Sequence, residues 1–244
     1  EAFISKYESG DMPQNCGLFL VVGEEESGDG TAALLKARSF PWAIVAEPTN
    51  MVPCLSHFGY LEMLVRVYGM RRHASMAGRE YNAIFSMLSM LMKLCETIQS
   101  ETPAVILNIR DIHSSESGFA VPGSCEAFID LHIPPGIGDP KTFARKLKKM
   151  VTANLSGDTI TGFEIEFPIQ ADGYQLADAG MLPDILRSSY RQQAIEWKPG
   201  AFNSHSDANL LIEVGCKPII LGPGQLEKAH TRDESVELEQ VFAA

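Results

Sequence analysis

In "LFLVVGEEESGDGTAALLKARSFPWAIVAEPT", residues 18–49, an apolar run leads straight into three consecutive glutamates, Glu24, Glu25 and Glu26. The run at 17–22 reads as a buried strand, residues 31–38 as a short helix, and 42–49 as a second buried strand ending at Glu47. Strand, helix, strand with carboxylates at both strand ends is the grammar of an open α/β sheet. Ligands of such sheets gather outside the carboxyl ends of the strands. Three adjacent like charges repel one another, and a bound divalent cation would offset that repulsion.

Outward from this stretch the pattern changes near Ser56. Residues 60–69 alternate like a half-buried strand, 82–98 have helical spacing, 104–112 and 124–133 read as strands, 140–155 as a helix and 160–169 as a last strand. The order β-α-β-β-α-β is the ferredoxin-like split pattern. After Asp172 the first style returns, with helices expected at 179–193 and 206–215, the latter closed by Gly215. A buried strand at 217–224 runs into "GPG", followed by a loop that carries His230. The expected architecture is α/β. An open, mostly parallel catalytic domain, residues 1–55 and 172–244, is interrupted by an inserted ferredoxin-like α+β dimerisation (lid) domain, residues 56–171.

The bulk composition narrows the function. Apolar content of 45% and charged content of 21% over 244 residues describe a globular chain with a real core. A formal charge of −11 argues against nucleic acid and anionic membrane surfaces, both of which need a basic footprint. No apolar run approaches the roughly 20 residues that span a bilayer. The cysteines Cys16, Cys54, Cys95, Cys125 and Cys216 are scattered and odd in number, without a CxxC pair, which fits a reducing cytoplasm better than a disulfide framework.

Three places put metal-type ligands at strand ends: the glutamate cluster, Glu47 and His230. Zinc takes carboxylate oxygen and imidazole nitrogen. In an adjacent glutamate pair one carboxylate can hold a metal while the other stays free as a base for the activated water. Taken singly, each is more often a solvated loop residue. Their combination is far more specific.

In that combination the chain resembles the zinc-dependent aminoacylase and carboxypeptidase family, which includes acetylornithine deacetylase, succinyl-diaminopimelate desuccinylase and glutamate carboxypeptidase. The motif EE-x-G/S-x-x-G corresponds to "EEESGDG" at 24–30, and GEPT to "AEPT" at 46–49. The motif H-x-S-x-P-x-x-G-x-N-A corresponds in part to "HASMAGREYNA" at 73–83. The last long motif corresponds almost throughout to "SDANLLIEVGCKPIILGPGQLEKAHTRDESV" at 206–236.

The resemblance implies a metal-dependent amidohydrolase acting on an N-acyl amino acid or short peptide, with two zinc ions per site, cobalt or manganese being alternatives. It implies Glu24 as general base, Glu25 and His230 as ligands of one zinc, and Glu47 as ligand of the other. A register shifted by one, Glu25 as base and Glu26 as ligand, stays open. His73 would reach across a homodimer to stabilise the oxyanion, an imidazole donor aimed at developing charge. Asn82, His132 and Gly224 would contribute to substrate binding, although Asn82 also opens a helix and could serve as its N-cap. Asp207 either orients the site or caps the following helix. His57, His113 and His205 have no motif support and are expected to be structural or exposed.

The chain departs from the family pattern at Ala77 and Glu80, where proline and glycine are usual. It also departs at Phe119 and His132, where asparagine and arginine usually help to hold a substrate carboxylate. The family's upstream H-x-D histidine and bridging aspartate have no counterpart before Glu24. The chain is therefore expected to be the larger part of a longer enzyme, binding zinc weakly and lacking amidase activity alone. The alternative reading is a non-catalytic dimerisation or binding member of the family.

Overall fold

Helices α1 (Ala2–Glu8) and α2 (Asp29–Ala37) form the first of two units, Glu1–Ser39, of a computed structural model that describes residues 2–10, 15–115, 118–157 and 159–243. The apolar run 17–22 is not a strand: Leu18, Phe19, Leu20, Val21 and Val22 are irregular and exposed. An apolar segment becomes a strand only when a neighbour satisfies its backbone. Among the described residues this unit holds helices and no strand. The motif's closing glycine, Gly30, has a physical reason. Its N–H donates to Val22 O at 2.9 Å, and a Cβ there would meet Val22 N at 2.4 Å and Val22 O at 2.5 Å. Helix α2 then runs through "TAALLKA", all but its threonine strong helix formers.

The second unit, Phe40–Ala244, contains two main sheets. The chain enters through β1 (Trp42–Val45) and β2 (Cys54–His57), then crosses into β3 (Gly59–Tyr68). There follow β4 (Arg72–His73), α3 (Ala83–Glu101), β5 (Ile106–Ser114), β6 (Ala120–Val121), β7 (Ser124–Ile133), α4 (Pro140–Leu155), β8 (Gly162–Glu166) and β9 (Gln170–Ala171). It returns through β10 (Tyr174–Gln175), α5 (Met181–Gln192), β11 (Gly200–Phe202), α6 (Ala208–Glu213), β12 (Lys217–Ile220) and α7 (Leu238–Ala243).

The inserted part has the ferredoxin-like arrangement: an antiparallel sheet in the order β5-β7-β3-β8, with α3 and α4 packed on one face. Period two in the strands meets period 3.6 in the helices. Leu61, Met63, Val65 and Val67 of β3 share a core with Met87, Met90, Leu91 and Leu94 of α3 and with Leu147 and Val151 of α4. Each such fully buried side chain is worth roughly 1.5–3 kcal/mol over leaving it in water. Strand β3 is central and buried on both faces, since Tyr60, Glu62 and Leu64 on the other side are also buried. The pairing of β4 with β6 forms a separate small ribbon.

The other sheet is mixed, and its longest ladders are parallel. Trp42–Val45 runs beside Lys217–Ile220, and Cys54–His57 beside Gly200–Phe202. Strand β2 is antiparallel to β12 and β10. Strands β2, β10 and β11 are short and lack a run long enough to show a period. Among the described residues no helix is long and apolar enough to cross a membrane.

Candidate functional site

In the first unit Glu24–Ser27 form a turn between two left-handed glycines, Gly23 (φ 78) and Gly28 (φ 66). Gly23 O accepts the N–H groups of Glu26, Ser27 and Gly28, at 3.2, 3.1 and 2.7 Å. The glutamates thus stand just before the N-terminus of α2, where the helix dipole favours negative charge. Glu24 is half-buried, whereas Glu25 and Glu26 are exposed, so neighbouring carboxylates sit in different surroundings.

In the second unit β1 and β12 end side by side, and the loops that leave them are laced together. Thr49 Oγ1 accepts the Gly222 N–H at 3.2 Å, and Asn50 N–H donates to Gly224 O at 2.5 Å. Gly224 N–H donates to Gln240 Oε1 at 2.8 Å. Gly222 lies on the backbone of Glu47, where a Cβ would meet Glu47 O at 2.6 Å, so only glycine fits. Half-buried Glu47 is thereby held at the carboxyl end of a parallel strand pair. Exposed His230 takes a left-handed backbone (φ 59), and its N–H donates to Glu234 Oε2 at 3.1 Å.

Glu24 and Glu25 belong to the first unit, Glu47 and His230 to the second. Among the described residues no group of three or more His, Cys, Asp or Glu side chains is arranged to hold a metal ion. A catalytic zinc site takes three protein ligands, so the described residues do not make up a complete set.

His73 and Phe119 come together although they are far apart in sequence. His73 on β4 pairs with Ala120 on β6, and Ala74 N–H donates to Phe119 O at 2.8 Å. Both side chains are exposed, and His73 Nδ1 lies 2.8 Å from Ser75 Oγ. Asn82 is buried and caps α3, its Oδ1 accepting the N–H groups of Ile84 and Phe85 at 3.1 and 3.4 Å. Replacing Asn82 with alanine is expected to cost about 1 kcal/mol of stability, with aspartate retaining most of the cap. Thermal unfolding measures this, and an unchanged Tm would move the side chain's purpose away from the cap.

His132 lies on β7 with its ring 5.3 Å from that of Tyr60, and Tyr60 lies 5.2 Å from His205. Tyr60 Oη donates to Asp130 Oδ1 at 2.9 Å, and Arg110 pairs with Glu62 and Asp130. Among the described residues His132 Nδ1 is a buried nitrogen without a hydrogen-bond partner. His57 is fully buried between Phe58 O (2.7 Å from Nδ1) and Ser206 Oγ (2.8 Å from Nε2). Desolvation pushes its pKa down to about 4, and burial also lowers those of His132 and His205. His57 and His205 are therefore packed structural groups. No local motif marks them, because the partners of each, Tyr60 for His205 and Ser206 and Tyr174 for His57, lie far away in sequence.

The sequence matches the peptidase dimerisation domain over residues 55–159. It is 28% identical over 207 residues to an acetylornithine deacetylase of Pectobacterium carotovorum subsp. carotovorum (strain PC1), covering 80% of this chain and 52% of that protein. The chain thus spans about half the length of the curated relatives it matches. A tripeptidase from Staphylococcus aureus subsp. aureus Mu50 has a similar structure, with TM-score 0.71, 16% identity, and coverage of 91% of this chain and 59% of that one. An aminopeptidase from Bacillus cereus ATCC 10987 gives a TM-score of 0.65 at 14% identity, covering 84% of this chain and 55% of that one.

Proposed function

The chain belongs to the aminoacylase and metallopeptidase family whose dimerisation domain it carries, and on that premise we propose that the full-length protein hydrolyses an amide bond of an N-acyl amino acid or a short peptide. The observation that carries this reading is the joining of the "AEPT" and "GPG" loops at the carboxyl ends of β1 and β12, by bonds between residues 173 positions apart. Open α/β sheets bind their ligands at such strand ends. In this reading residues 1–55 and 172–244 are the catalytic part and 56–171 the inserted lid.

Glu24 takes a proton from the attacking water and returns it to the leaving amine. Glu25, Glu47 and His230 are the metal-ligand candidates of this chain. Zinc, or cobalt or manganese in its place, would supply Lewis acidity when bound. A hydrolysis screen of N-acetyl, N-succinyl and dipeptide substrates on the full-length protein, with and without added metal, tests the reading. Absence of turnover from a folded, metal-supplied dimer would leave a binding module instead.

The lid has a surface suited to a second copy. Strand β5 is an edge strand that exposes Ile106, Ile109 and Ile112. Helix α3 exposes Phe85, Leu88 and Met92 on one side, at i, i+3 and i+7. We propose an isologous homodimer through this edge and helix, with His73 serving the partner's site. Replacing Ile109 and Ile112 together with aspartate is expected to turn the dimer into a monomer at micromolar concentration, read by light scattering. A wild-type protein that scatters as a monomer would remove this role for His73.

A further inference from the structure

The chain passes between the two sheets of the second unit twice, at Phe58–Gly59 and at Asp172–Gly173, and the two crossings touch backbone to backbone. A Cβ on Gly173 would meet Gly59 N at 2.5 Å and His57 O at 2.8 Å. Around this joint the sheets are tied by a few polar bonds. Asn209 Nδ2 donates to Asp172 O at 2.8 Å and Phe58 N–H to Phe202 O at 2.9 Å, both at the crossings, and beside them Ser206 bonds His57 within the part built on β2. Three imidazoles complete the joint. His57 lies on β2 and stacks on Tyr174 at 5.3 Å; His205 precedes α6 and packs on Tyr60; His132 packs on the same tyrosine from β7.

We propose that this joint is an acid-released latch, in which neutral His132 and His205 pack on Tyr60 from the two sides of the joint and proton uptake by both frees the inserted sheet to swing about the Gly59–Gly173 crossing. The charges around them are already committed. Asp130 accepts from Tyr60 and faces Arg110, and Arg110 also holds Glu62. Asp207, near His205, favours its protonation while His132 opposes it, and Asp130 favours that of His132. His57 faces Phe58 O, Ser206, Asn209, Tyr174 and Phe202, none of them a carboxylate. A proton on His132 or His205 therefore adds positive charge near the other imidazoles.

The direction of the pH effect follows from linkage. A histidine whose pKa is lowered in the closed state binds fewer protons there than in the open state. The closed state is then favoured above the ordinary histidine pKa and loses that advantage as pH falls through it. His132 and His205, half-buried, charge first; His57, held down to about 4, stays neutral until stronger acid.

Hydrogen exchange on the full-length protein from about pH 7.5 to about pH 5 tests this. After correction for intrinsic exchange, the amides of Phe58, Glu62 and Leu176, which bridge or flank the joint, are expected to lose about tenfold or more of their protection. Those within α3 should keep theirs. The double variant His132→Gln/His205→Gln is expected to flatten this response. Joint protection independent of pH, parallel loss throughout α3, or an unchanged response in the double variant would each overturn the latch. Should the variant fail to fold, imidazole titration of the wild-type protein by NMR decides. His132 and His205 titrating below the ordinary histidine range support the proposal, and ordinary values overturn it.

Discussion

Glu24→Ala in the full-length protein is expected to lower amide hydrolysis by about a hundredfold to ten-thousandfold, the usual contribution of a positioned general base, while bound metal stays nearly constant. Glu25→Ala is expected to lose metal together with activity. These two adjacent carboxylates share a turn but not an environment: Glu24 is half-buried and Glu25 exposed, both ahead of the N-terminus of α2. A base has to move a proton and needs no metal bond, whereas removing a ligand opens the coordination shell. Parallel measurement of turnover and metal content separates the two. The reverse pattern, metal lost from Glu24→Ala and retained in Glu25→Ala, would shift the register to Glu25 as base and Glu26 as ligand.

Gly173→Ala is expected to destabilise the second unit by about 3 kcal/mol, the upper part of the range for overpacking. The added methyl would stand 2.5 Å from Gly59 N, 2.8 Å from His57 O and 3.0 Å from Phe58 C, all backbone atoms of the other crossing. No flexible side-chain end is there to give way. Gly78→Ala is the matched control, because nothing lies within 4 Å of its Cβ position and its φ is not in the left-handed region; it should change stability by less than about 0.5 kcal/mol. Urea unfolding of both variants measures the difference. Equal midpoints would mean that the crossing is loose enough to absorb a methyl group.

Much of the inserted sheet was legible because its elements are long and periodic. Strand 124–133 and helix 140–155 have the expected ends, and β3 and α3 differ from expectation by a few residues at each end. Period two over ten residues and period 3.6 over sixteen leave few alternatives. The apolar run 17–22 carried the same kind of signal and is not a strand. Apolar pattern states a need for burial, and only a pairing neighbour turns that need into a ladder.

The sequence by itself carried the family resemblance, the ferredoxin-like order of the insertion and the motifs that make Glu24 to His230 candidates, since these rest on local spacing and on side-chain chemistry written along the chain. Tertiary structure alone decided that Asn82 is bonded as a helix cap, that His73 stands beside Phe119, that His132 and His205 meet on Tyr60, and that His57 stacks on Tyr174 near the crossing between sheets. His57 and His205 lie 148 positions apart, from the numbering of the chain. No local period relates such residues; they meet because two glycines without side chains let the crossings touch and bring both sheets to one joint.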